Sequence, residues 1–182
     1  LSLCNVCVLK INVDHRKSMS VTLNIYEECL YIKFGNPQAN CLTYDILKEI
    51  ISAITNAEKN PSIKIICIES IGEKSFSAGA SFDEFNEISS EIEAVNFFSL
   101  FSNLYLVLQR SSEMIITKVQ GKAVGGALGI IACSDYVIAN IDASIKLSEL
   151  SIGIAPMVVS VPLIERIGKT HFGHLMLDVE WR

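Results

Sequence analysis

Apolar residues recur along this chain with two alternating periods, and the places where the period changes mark out its elements. Residues 21–26 and 29–34 are short runs rich in β-branched and aromatic side chains, separated by Glu27-Glu28, and predict two strands joined by a tight turn. Gly35-Asn36-Pro37-Gln38-Ala39-Asn40 reads as a loop from its turn residues. Thr43 is placed to cap a helix running to about Lys59, in which Ile46, Leu47, Ile50, Ile51 and Ile54 recur at helical spacing. Residues 63–68 are β-branched and almost continuously apolar, as expected of a strand covered on both faces, and a long loop is expected after them. Further on, residues 91–110 predict an amphipathic helix, 114–119 a second buried strand, 126–134 a short apolar helix and 135–140 another strand. Residues 145–156 look irregular, while 157–167 and 170–178 each predict a helix. From Met19 onward, strand-like and helix-like segments alternate, the mark of an α/β domain with largely parallel pairing.

The segment before Met19 does not share this pattern. An apolar opening leads into the polar run Asp14-His15-Arg16-Lys17-Ser18, without the basic leader and small-residue cleavage pattern of a signal peptide. Met19 is expected as a start, with residues 1–18 an N-terminal extension and 19–182 the domain. The chain has 182 residues, 50% hydrophobic and 19% charged, enough to bury the core of one globular domain. Its net charge is −5 and its Lys and Arg form no run that would track a phosphate backbone, so nucleic acid is not an expected partner. The longest apolar stretches, such as residues 123–132, fall short of the ~20 residues that cross a bilayer and are broken by glycine, so no membrane span is expected. Six scattered cysteines, several within apolar runs, suit a reducing, cytoplasmic setting.

Candidate chemistry lies in two glycine-containing turns, each following a buried strand. In Ser75-Phe76-Ser77-Ala78-Gly79-Ala80-Ser81-Phe82-Asp83 the small side chains let a ligand approach the main chain. In Val119-Gln120-Gly121-Lys122-Ala123-Val124-Gly125-Gly126-Ala127 the turn opens a helix, whose first amides are free donors. Together they could hold an oxyanion, although glycine turns serve chain geometry just as readily. Other motifs carry less. Gly168-Lys169-Thr170 mimics the end of a phosphate-binding loop, but Leu163 stands where the required upstream glycine would be. His171 and His174 are three apart without a third ligand, and Cys4-Asn5-Val6-Cys7 lacks a second pair. No metal is expected.

The order and spacing of Phe76-Ser-Ala-Gly-Ala80, Val119-Gln-Gly-Lys-Ala-Val-Gly-Gly126 and Leu147-Ser-Glu149-Leu-Ser-Ile-Gly153, with the early loop at residues 36–40, resembles the crotonase (enoyl-CoA hydratase/isomerase) superfamily. Residues 78–85, 147–150 and 180–182 look most like bacterial methylglutaconyl-CoA hydratase-like proteins. The resemblance implies a ClpP/crotonase spiral of repeated ββα units. It also implies an acyl-CoA substrate whose thioester oxygen lies between the amides of Ala80 and Gly126, with Glu149 as the proton-transferring base. Ala39, Ala78, Gly79, Ser81 and Gly125 would line the substrate path. Coenzyme A enters as part of the substrate, with no separate cofactor, and a full-length protein would form a homotrimer or hexamer.

Two departures bear on the reaction. Gly129 stands where two-glutamate hydratases carry their other catalytic carboxylate, which leaves hydration or isomerisation open. The chain also stops where the family's usual C-terminal helices would begin. A polyketide-pathway dehydratase or decarboxylase acting on a carrier-protein thioester, and a non-catalytic acyl-CoA-binding or assembly protein, are the alternatives.

Overall fold

A computed structural model of the chain describes residues 21–182, which build two sheets connected by helices. The segment 1–18, with its Cys4–Cys7 pair, lies outside the described residues. β1 (Val21–Tyr26) and β2 (Cys29–Phe34) form the hairpin that their patterning predicts, and β2 buries Leu30, Ile32 and Phe34 on one face by strict alternation. Thr43 caps α1 (Tyr44–Ala57): its Oγ1 accepts from the Ile46 amide, and Ile46, Leu47, Ile50 and Ile54 are buried on the same stripe. Burying each such isoleucine contributes roughly 1.5–3 kcal/mol against leaving it in water.

β3 occupies Ile65–Ser70, two residues later than the apolar run suggests. Ile63 is held instead by its N–H bond to Asn60 O, and the strand continues through Glu69 and Ser70 because β2 pairs with it along its whole length. The stretch expected as a long loop holds β4 (Ser75–Ser77) and a short helix, α2 (Phe82–Asn86). α3 (Glu91–Arg110) and β5 (Met114–Val119) match their expected bounds. β6 (Lys122–Val124), α4 (Ala127–Cys133), β7 (Tyr136–Ala139) and β8 (Ile145–Lys146) follow. The segment expected to be irregular thus contains β8 and, after it, a 3-10 helix at Glu149–Ile152. The last helix, α5 (Met157–Asp178), is broken at Gly168, whose φ of 77° separates the two helices expected there.

The larger sheet runs β1-β2-β3-β5-β7 and is parallel after the first hairpin, while β4, β6 and β8 form a second, all-parallel sheet. Three times in succession, then, the chain lays a long strand in one sheet and a short one in the other before returning through a helix. This is the spiral of ββα units. Among the described residues no helix is long and apolar enough to cross a membrane, and no group of three or more His, Cys, Asp and Glu is placed to hold a metal ion.

Asn40 ties the first turn of the spiral to the loop ahead of β4. It sits in the left-handed region at φ 59°, buried, and its side-chain amide donates to the carbonyls of Ile71 and Ser75, each at 2.8 Å. Replacing it by alanine leaves the Ile71 carbonyl without its donor and takes one of the donors from Ser75 O, which keeps Gln120 Nε2 at 3.0 Å. Asn40→Ala is therefore expected to lower the unfolding free energy by about 2–3 kcal/mol, read from the urea midpoint at constant slope.

Candidate active site

β4 and β6 pair in parallel with Ser77 opposite Ala123, so the two turns leave the small sheet side by side, and Ala80 and Gly126 each lie three residues beyond that pair. Backbone closeness is the first requirement of this arrangement. A Cβ on Gly79 would come within 2.7 Å of Val124 O, and Gly79 holds φ at 89°, which excludes other residues on both counts.

The hydrogen bonds of the two turns leave two amides over. Leu42 bridges to the first turn by donating to Gly79 O (2.7 Å) and accepting from Ser81 N–H (3.1 Å), so Ala80, between them, turns its own N–H the other way. Ala78 N–H is taken by Ala39 O and Gly125 N–H by Lys146 O. The Ala80 and Gly126 amides have no hydrogen-bond partner among the described residues. Gly126 caps the N-terminus of α4; at seven residues this helix contributes only a small dipole, so the donors themselves carry the site's positive character.

Ala80 and Gly126 both line a cavity of about 690 Å³ whose walls include Phe82, Phe85, Phe97, Phe98 and Phe101. The same cavity is lined by Ala78, Gly79, Ala80, Gly125, Gly126 and Glu149, six of the eight residues picked out from the sequence. Ser81 and Ala39 are placed elsewhere. Ser81 is buried, and its Oγ accepts from Glu84 N–H as the N-cap of α2, so its hydroxyl belongs to the fold. Ala39 lies in the exposed turn at φ 52°, and its carbonyl fixes the first turn by accepting from Ala78 N–H and Ser75 Oγ. Neither is a lining residue of the cavity.

Glu149 enters from the 3-10 helix after β8, which Gly153 ends in the left-handed conformation. Its Oε1 would be 3.1 Å from a Cβ on Gly125, close enough to crowd the carboxylate, and Gly125 itself holds a positive φ of 54° that favours glycine. Oε2 is buried without a hydrogen-bond partner. Burial pushes the carboxyl above its ordinary range, with the nearby backbone of Glu149 and Ser148 pulling partly the other way. A desolvated carboxylate with one orphaned oxygen, on a residue that lines an apolar cavity, is suited to exchanging a proton with a bound molecule.

Sequence reasoning missed Tyr105, from α3, which also lines the cavity. Its hydroxyl donates to Gly126 O at 2.7 Å, and its ring fills the space beside Gly129: a Cβ there would fall 2.1 Å from Tyr105 Cζ. Beside Glu149, Tyr105 and Ser148 supply the only other polar side chains of the lining. The signal was present in the i, i+4, i+8 series Phe97, Phe101, Tyr105 and the two glycines three apart on α4, which share one face.

Residues 24–178 match the Enoyl-CoA hydratase/isomerase family. The chain is 33% identical over 149 residues to the bacillaene synthase dehydratase PksH of Bacillus subtilis, covering 80% of this chain and 57% of that protein. It is 30% identical over 138 residues to the crotonyl-CoA hydratase of Syntrophomonas wolfei, covering 75% and 53%. Among solved structures, an enoyl-CoA hydratase from Shewanella pealeana superposes with a TM-score of 0.85 at 26% identity, over 92% of this chain and 64% of that one. The chain thus spans little more than half the length of these two curated relatives. With the two-sheet spiral and the paired glycine turns, these likenesses make the chain a member of the enoyl-CoA hydratase/isomerase family.

Proposed function

We propose that the cavity binds an acyl thioester, with coenzyme A as its carrier portion, and that the site moves a proton at the carbons next to the thioester carbonyl. The observation that carries this reading is the buried, unpartnered Oε2 of Glu149 in the same cavity as the two unpaired amides of Ala80 and Gly126. The thioester oxygen accepts from both amides. Glu149 takes a proton from the carbon next to the carbonyl; the electron pair of the broken C–H bond forms an enolate whose negative charge resides largely on that oxygen, where each preorganised donor is worth ~3–4 kcal/mol. Glu149, now protonated, returns the proton to another atom of the acyl group. Delivered to a carbon, it shifts a double bond; delivered to a leaving hydroxyl, it expels water; run backwards from an enoyl thioester, the latter is hydration. The aromatic walls suit a short or branched acyl chain.

A second reading has a specific observation behind it. PksH, a dehydratase of bacillaene synthase by its name, is 33% identical to this chain, which favours dehydration of a thioester carried by a carrier protein. The same carboxylate and amides serve that reaction, and only the carrier differs. Assembly as a homotrimer or hexamer belongs to the same proposal.

Turnover is followed at the absorbance of the conjugated enoyl thioester, with 2-enoyl-CoA, 3-enoyl-CoA and 3-hydroxyacyl carrier-protein substrates. Glu149→Gln is expected to cut kcat by about 10³-fold while leaving ligand affinity in place. Turnover that survives the substitution sinks the proton-transfer reading, and ligand binding without turnover on any of them points to a non-catalytic acyl-CoA-binding role.

Stability offers an independent check. Folding holds the Glu149 pKa above its unfolded value near 4.5, so the folded state binds a proton more tightly than the unfolded one. Its contribution is therefore most favourable below pH 4.5 and is lost as pH rises through the higher folded value. Glu149→Gln should melt above the parent protein at pH 7, with the gap closing as the pH is lowered towards 4.

A further inference from the structure

Three aromatic side chains of α3, Phe97, Phe101 and Tyr105, stack down one face of the helix with successive ring centroids 5.7 and 6.4 Å apart, and this face meets the first turn of α4. The contact leaves no room for a side chain at Gly126, the N-cap of α4, or at Gly129 within it. A Cβ on Gly126 would lie 2.7 Å from Phe101 Cε1, and one on Gly129 would lie 2.1 Å from Tyr105 Cζ and 2.5 Å from its hydroxyl oxygen. Real Cβ atoms do not approach that closely, so with the Tyr105 ring in place position 129 has no room for a side chain.

Tyr105 also holds Gly126 directly. Its hydroxyl donates to Gly126 O at 2.7 Å, and the same oxygen accepts from Gly129 N–H at 3.2 Å. Gly126 has no side chain to fix its orientation; this pair of bonds holds the peptide plane of its carbonyl, while the plane that carries its unpaired N–H is held from the other side by Gly125 O, which accepts from Leu128 N–H at 2.9 Å, so the two sets of bonds together set φ and ψ at Gly126. Burial raises the Tyr105 phenol well above its ordinary pKa, which keeps it protonated, and therefore a donor, wherever the protein is folded.

The lining of the cavity makes the consequence chemical. Glu149 is its only carboxylate, and Tyr105 occupies the room that any second acid at position 129 would need. Resting on the proton-transfer reading above, we infer that Tyr105 is a positioning residue of this site: it holds one of the two peptide planes that set the Gly126 amide and, by filling the space over Gly129, restricts the site to a single carboxylate.

The purified chain is assayed with crotonyl-CoA and a 3-enoyl-CoA as probes, with a melting curve for each variant. Tyr105→Phe keeps the ring and removes only the clamp. Its kcat should fall about ten- to hundred-fold on whichever probe the parent turns over, with KM within about two-fold and melting lowered by only a few degrees. Tyr105→Ala with Gly129→Glu opens the room and puts a carboxylate in it, and should raise water addition relative to double-bond migration by about ten-fold compared with Tyr105→Ala alone. An unchanged kcat in Tyr105→Phe, or a raised KM alone, overturns the positioning role. An unchanged product ratio in the double variant overturns the restriction to one carboxylate. Failure of the underlying reading is seen separately, because it shows in Glu149→Gln, where Tyr105 is intact; a parent chain inert on both probes ends both inferences.

Discussion

The parallel register that sets Ser77 against Ala123 is the constraint on which the site depends. Two strands of three residues each have little stability of their own, yet their pairing decides that two distant turns leave in the same direction and at the same height. Each turn then uses up its neighbouring hydrogen bonds, with Leu42 on one side and Lys146 on the other, until one N–H in each remains unspent. The polar capacity of the site is thus made by subtraction. Glycine matters here for what it lacks: at 79 it permits the backbone contact with Val124, at 125 it leaves the Glu149 carboxylate uncrowded, and at 126 and 129 it receives the aromatic face of α3.

Much of the scaffold was legible in the chain because its long elements carry a period. β1, β2, α3 and β5 fall where the spacing of apolar residues puts them, and the kink at Gly168 separates two helices that the sequence already divides. β4, β6 and β8 were not legible, since two or three residues are too few to display an alternation. The shift of β3 towards Glu69 and Ser70 has another origin: hydrophobicity marks what is buried, whereas strand ends are set by the partner's length.

The candidate site divides in the same way. Ala80, Gly126 and Glu149 could be picked out because short motifs around them resemble those of a known family, and the structure brings all three to one cavity. A serine in a small-residue loop reads alike whether it faces a ligand or caps a helix, and at Ser81 the bond from Glu84 N–H shows the cap. Tyr105 escaped because its meaning is relational. A tyrosine in an amphipathic helix is ordinary, and a glycine in an apolar helix is ordinary, but the absence of a side chain at 129 is explained only by the ring that occupies its place.

The far end of the described chain has its own bearing on Glu149. Ile145 and Arg182 exchange two backbone hydrogen bonds, N–H to O at 2.8 and 3.0 Å. β8 lies at the margin of the small sheet, with its outer rim turned away from β6, and an open rim of this kind is a template on which a foreign strand can dock. Arg182 covers that rim at Ile145, four residues before the carboxylate. The strand that leads into Glu149 is thereby closed to intermolecular β-pairing at that point, and a segment that must present one acid in one place is protected from being pulled into an aggregate by its own edge.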